Sequence, residues 1–102
     1  MPVVSFDTRQ AGVVTAEDHR WFLLEQDGEA PLLVDGVCSH RGGPLHLGQL
    51  VPDGTAVQCP WHDRCTGTRV LRRRALPLVV RGGSATAVLP AGCGRAVPRR
   101  RP

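Results

Sequence analysis

What most constrains this chain is a pair of short ligand motifs, Cys38-Ser39-His40 and Cys59-Pro60-Trp61-His62, separated by the eighteen residues from Arg41 to Gln58. Each motif offers one thiol and one imidazole. In an extended segment the side chains at i and i+2 lie on the same side, so Cys38 and His40 can face one centre. Cys59 and His62 need a bent loop, which Pro60 favours. Two Cys and two His are good zinc ligands, and a closed tetrahedral zinc site, as a structural module, is one reading. Common zinc modules pair Cys with Cys and His with His, whereas here each pair is mixed. Mixing suits a binuclear iron–sulfur centre in which two thiolates hold one metal and two imidazoles hold the other.

These motifs resemble those of the Rieske iron–sulfur family, which carries C-x-H, a linker of similar length, and C-x-x-H. The first loop of that family often continues as H-R-G-x-P-L, and His40-Arg41-Gly42-Gly43-Pro44-Leu45 matches it. Cys59-Pro60-Trp61-His62 resembles the second loop of the soluble, ferredoxin-like members. The resemblance implies an all-β fold of stacked antiparallel sheets with a two-loop cluster-binding subdomain, and a [2Fe–2S] cluster. By the same resemblance Cys38 and Cys59 bind the inner iron and His40 and His62 the outer, more exposed one, with Leu45, Pro44 and Trp61 as an apolar rim. The implied function is one-electron transfer from a flavin-dependent ferredoxin reductase to a terminal oxygenase, as a dioxygenase component. The other reading within the family is a subunit, or a redox-sensing module, of a larger oxidoreductase complex.

After His62 the chain departs from the family. Most relatives continue H-G and run through an aromatic residue before a Thr-Gly turn, whereas here Asp63-Arg64-Cys65 leads straight into Thr66-Gly67, several residues sooner. High-potential members brace the two loops with an extra Cys in each, and loop one here has Gly43 and its neighbours instead. They also carry a Ser and a Tyr that donate to the cluster, where this chain has Asp63, Arg64 and Cys65. Hydrogen bonds to sulfur favour the reduced state. Their loss places the expected potential near the bottom of the His-ligated range, about −150 to +300 mV against about −400 mV for all-Cys plant-type ferredoxins.

The 102 residues suit one domain and leave no room for a separate catalytic unit. A Rieske oxygenase needs a second, mononuclear iron held by two His and a carboxylate, and once the motifs are satisfied only His19 and His46 remain. No independent catalytic site is expected. Met1 to Asp7 lacks the basic and apolar regions of a signal peptide, and no apolar run approaches the ~18 residues that span a bilayer. A cytoplasmic location is the expectation, with Cys65 and Cys93 read as free thiols and a disulfide between them as the alternative.

Charge is uneven. Met1 to Asp63 holds all nine acidic residues and three of the Arg, while Arg64 to Pro102 holds ten Arg and no acid. A basic half of this kind steers docking onto an acidic partner. Neither Arg72-Arg73-Arg74 nor Arg99-Arg100-Arg101 has a neighbouring aromatic on which bases could stack, so no specific nucleic-acid binding is expected.

Along the chain, Val3 to Phe6 reads as a strand and Thr15 to Arg20 as a turn. Trp21 to Glu25 and Leu32 to Val34 read as a hairpin around Asp27-Gly28, delivering Cys38 to a sheet end. Arg41 to Gly48 suits a loop wrapped around a cofactor. Pro52-Asp53-Gly54 marks a turn before a strand, Thr55 to Gln58, that delivers Cys59. Thr68 to Leu71 reads as another strand, and Leu76 to Val80 and Ser84 to Leu89 as a hairpin about Gly82-Gly83. The Rieske domain is expected over 1–90, and the Gly-, Pro- and Arg-rich stretch 91–102 as a disordered basic tail.

Overall fold

Trp21-Phe22-Leu23-Leu24 is apolar without alternation, and its place in the fold explains why. The computed structural model describes residues 2–26, 28–37, 43–61 and 65–100. Among these, the strands in chain order are β1 (Val3–Asp7), β2 (Val13–Ala16), β3 (His19–Leu24), β4 (Leu32–Asp35), β5 (Gln49–Leu50), β6 (Ala56–Gln58), β7 (Cys65–Gly67), β8 (Leu78–Arg81), β9 (Ser84–Val88) and β10 (Val97–Arg99). A 3-10 turn spans Leu45–Leu47, and the helix α1 spans Thr68–Arg73. The strands pair antiparallel into three sheets, ordered β1-β9-β8, β10-β2-β3-β4 and β5-β6-β7. The fold is all-β, as expected.

The middle sheet is covered on both faces. Trp21 and its cross-strand neighbour Val14, with Leu33, pack against Val4, Phe6, Ala85, Ala87 and Leu89 of the first sheet and its continuation. Phe22 and its neighbours Val13 and Val34, with Leu24, pack on the other side with Leu45, Val57, Cys59 and Leu71. A strand buried on both faces is apolar at every position, not every second one. Burial of a large apolar side chain such as Phe22 or Leu23 contributes about 1.5–3 kcal/mol, so β3 is a stiff base for what is mounted on it. The first sheet, by contrast, alternates: Val4 and Phe6 face Ala87 and Ala85 inward, while Ser5 and Thr86 meet outside through a 2.9 Å hydroxyl contact.

Both hairpins expected from the sequence form. β3 pairs with β4 from Trp21↔Asp35 to Leu24↔Leu32, and β8 pairs with β9 around Gly82 and Gly83, both at positive φ as a two-residue turn of this hand requires. Three expectations are corrected. The turn placed over Thr15 to Arg20 shrinks to Glu17-Asp18, because Val13, Val14 and Ala16 bury as β2 and His19 already begins β3. Thr68 to Leu71 is not a strand but the start of α1. Helical geometry sinks Leu71 into the core and leaves the arginines outside, and Arg and Leu are good helix formers.

The third correction concerns the tail. Val97–Arg99 pairs with β2, Cys93 is buried in the core with Trp21 and Leu89, and Arg99 Nε donates to Thr15 Oγ1 at 3.0 Å. Local composition missed this because the apolar contacts of the segment are sparse and its hydrogen-bonding partner Thr15 is 84 residues from Arg99 along the chain. Among the described residues no helix is long and apolar enough to cross a membrane.

Candidate metal centre

Of the four ligands expected, Cys59 lies among the described residues, while Cys38, His40 and His62 lie outside them. What can be built is the ground on which the two loops stand. Loop one leaves the middle sheet after β4. Gly36 N–H donates to Arg20 O at 2.8 Å, and a Cβ at Gly36 would sit 3.1 Å from that same carbonyl, so the chain hugs β3 as it leaves. The Asp35 carboxylate then accepts from Val37 N–H at 3.0 Å. Val37 pairs with Pro44 in an isolated antiparallel bridge, which closes the loop at its neck. Beyond the neck, Leu45 N–H donates to Gly43 O, and the 3-10 turn plants Leu45 in the core with no exposed surface.

Loop two is the connection of a hairpin. β6 pairs with β7 through Gln58↔Cys65, Val57↔Thr66 and Ala56↔Gly67, so Cys59 follows directly on the last pair of the ladder. The Asp53 side chain fixes the turn that starts it, accepting from Thr55 Oγ1 at 2.6 Å and from Thr55 N–H at 3.0 Å. These two bonds, the hydroxyl's first, hold the Asp53 carboxyl below its ordinary range. The strong turn expected at Pro52-Asp53-Gly54 and the strand behind it are both present, with Gly54 at positive φ.

The two loop stems touch. β5, which follows loop one, pairs with β6, which precedes loop two, through Gln49↔Gln58 and Leu50↔Val57. At Gly48 the approach is so close that a Cβ would lie 2.2 Å from Gln58 O. Cys59 follows directly and is fully buried, next to Leu45 and Val57 in the same cluster. A soft thiol at that depth, beside the neck of the first Cys/His loop, fits the inner position of a shared iron–sulfur centre.

The remaining candidates separate cleanly. His19 stacks on Trp21 with ring centroids 5.9 Å apart, at the start of β3. His46 sits in the 3-10 turn with Nδ1 3.2 Å from Gly36 O. Cys93 is a free, buried thiol, while the thiol of Cys65 lies outside the description. The expected apolar rim is revised: Pro44 and Leu45 are buried, and among the described residues near the two loops Trp61 at 63%, Leu47 at 46% and Leu50 at 37% are exposed. Leu45 was misplaced because a core anchor and a rim residue look alike in a sequence; its depth is set by the 3-10 turn.

Against this geometry, the family model of the Rieske [2Fe-2S] domain matches residues 1–75. The chain belongs to the Rieske family. Searches among curated proteins and among solved structures found no match. As a Rieske domain it binds a [2Fe–2S] cluster and serves electron transfer. The matched region ends just after α1. Within this Rieske domain β8, β9 and β10 lie beyond it, yet β9 pairs with β1 and β10 with β2, so the later residues complete sheets that the matched region begins.

Proposed function

We propose that this Rieske domain carries single electrons from a flavin-dependent ferredoxin reductase to a terminal oxygenase, with Cys38 and Cys59 holding the inner iron and His40 and His62 the outer. The observation that carries the reading is the junction of the two loop stems at Gly48 and Gln58, with the Cys59 thiol fully buried beside it. When bound, the cluster supplies a one-electron acceptor of higher potential than an all-Cys one. The residues around it set access. Cys59 and Leu45 keep the inner side away from water, and Trp61 and Leu47 offer exposed apolar surface on this lobe for a brief encounter. Arg69, Arg73 and Arg74 on and after α1 add positive charge, which speeds association with an acidic partner. A cytoplasmic setting accords with the free, buried thiol of Cys93.

The test is direct. Purified protein should hold two irons and two acid-labile sulfides per chain, lose its visible absorbance in Cys38→Ser, and titrate nearer the lower than the upper end of the about −150 to +300 mV range. In a reconstituted system it should couple NADH oxidation by a flavin reductase to oxygenase turnover, with a rate that falls as salt rises. Colourless protein carrying one zinc would end the cluster assignment. A coloured protein that no such reductase reduces would leave the cluster and remove the partnership.

A further inference from the structure

Loop two stands on a ladder of paired strands, whereas among the described residues the neck of loop one is bridged at Val37 and Pro44. A second tie crosses the same neck. His46 N–H donates to Gly36 O at 3.2 Å, and the Nδ1 of the His46 ring lies 3.2 Å from that same oxygen. A carbonyl only accepts, so the contact is a hydrogen bond when Nδ1 carries a proton, in the Nδ1–H neutral tautomer or in the cation. Gly36 stands two residues before Cys38. Its own N–H is held by Arg20 O and its Cα is pressed against β3. His46 is in turn fixed between Leu45, which has no exposed surface, and Gly48, which is pressed on Gln58. The ring therefore ties a carbonyl locked to β3 to a turn locked in the core, across the mouth of the segment that carries Cys38 and His40.

We infer that His46 is a positioning residue: its imidazole closes the base of loop one and holds the first Cys/His pair in register with Cys59. This role rests on the ligand assignment proposed above. Losing a group that orients the ligands of a metal typically costs about 10–100-fold in metal affinity. Loop one should therefore be the part of the domain that gives way first when the tie is cut.

The experiment compares the loaded protein with His46→Ala and His46→Asn. The Asn side-chain amide places an N–H close to where Nδ1 stands and restores the donor without the ring. Cluster loss to an iron chelator is followed by absorbance, and hydrogen exchange is followed at the Val37 and Leu45 amides. His46→Ala should release the cluster about tenfold faster and raise exchange at Val37 and Leu45 while leaving Val57 and Thr66 in the loop-two ladder protected. His46→Asn should recover most of both. Equal half-lives for wild type and His46→Ala overturn the inference, as does an equal loss in both variants, since the tie would then not be the Nδ1–H bond. Loss of colour at assembly in both variants also overturns it, because the ring would then be a ligand. If the ligand assignment itself were wrong, Cys38→Ser would keep its colour, an outcome distinct from all of these.

Discussion

The two loops of this Rieske domain are held in different ways. Loop two joins β6 to β7, which pair with each other and have a third strand beside them, so its stem is fixed by repeated backbone pairing. Among the described residues, loop one leaves the edge strand β4 and returns through the Val37–Pro44 bridge and the His46 N–H bond to Gly36 O, helped by the Asp35 carboxylate on Val37 N–H, the buried Leu45 and the His46 imidazole. A backbone ladder tolerates changes of side chain, whereas a neck that adds side-chain ties to a few backbone bonds is more sensitive to them. The same cluster thus rests on one support written in the backbone and another that also depends on particular side chains.

Substitutions can break this contrast or sharpen it. The largest effect should come from Leu45→Ala, which empties a fully buried position beneath loop one and should cost about 2–5 kcal/mol in denaturant unfolding. Cluster release should accelerate in step, and a loss under 1 kcal/mol, on the order of an exposed site, would mean that loop one is anchored elsewhere. Gly48→Ala comes next. It puts a methyl where Gln58 O already sits, so β5 must move off β6, at about 1–3 kcal/mol. Hydrogen exchange should rise at Leu50 and Val57 before it rises in β2 and β3; unchanged exchange there would show that the stems are not coupled through this contact.

The smallest effect is a pH dependence at Asp53. Its hydrogen bonds with Thr55 lower its folded pKa, so its contribution to stability is fully present above the unfolded carboxylate value of about 4 and is lost as pH falls through the lower folded value. The stability gap between wild type and Asp53→Ala should therefore be widest at neutral pH and close under acid. A gap that does not change with pH would assign the turn to Gly54 and the strands alone.

Much of this was legible in the residues. The mixed Cys/His pairs and the H-R-G-G-P-L continuation identified the family and its cofactor. Asp-Gly and Gly-Gly marked two hairpins, because turn chemistry acts within a few residues. What escaped was long-range. β10 needs β2 to exist, and α1 is a helix because Leu71 has a core to enter. Leu45 is an anchor, not a rim, for the same reason. No local window holds that information.

The sequence alone determined the chemistry of the centre, since the kinds of donor atom and their spacing depend only on order along the chain. It also determined the apolar run of β3, although not that both of its faces would be covered. Tertiary structure alone decided that the two loop stems meet at Gly48 and Gln58, that Cys59 lies at the bottom of the second core, and that His46 reaches the carbonyl of Gly36. Those are distances between residues far apart in the chain or turned toward one another by packing, and such distances exist only once the sheets have closed on each other.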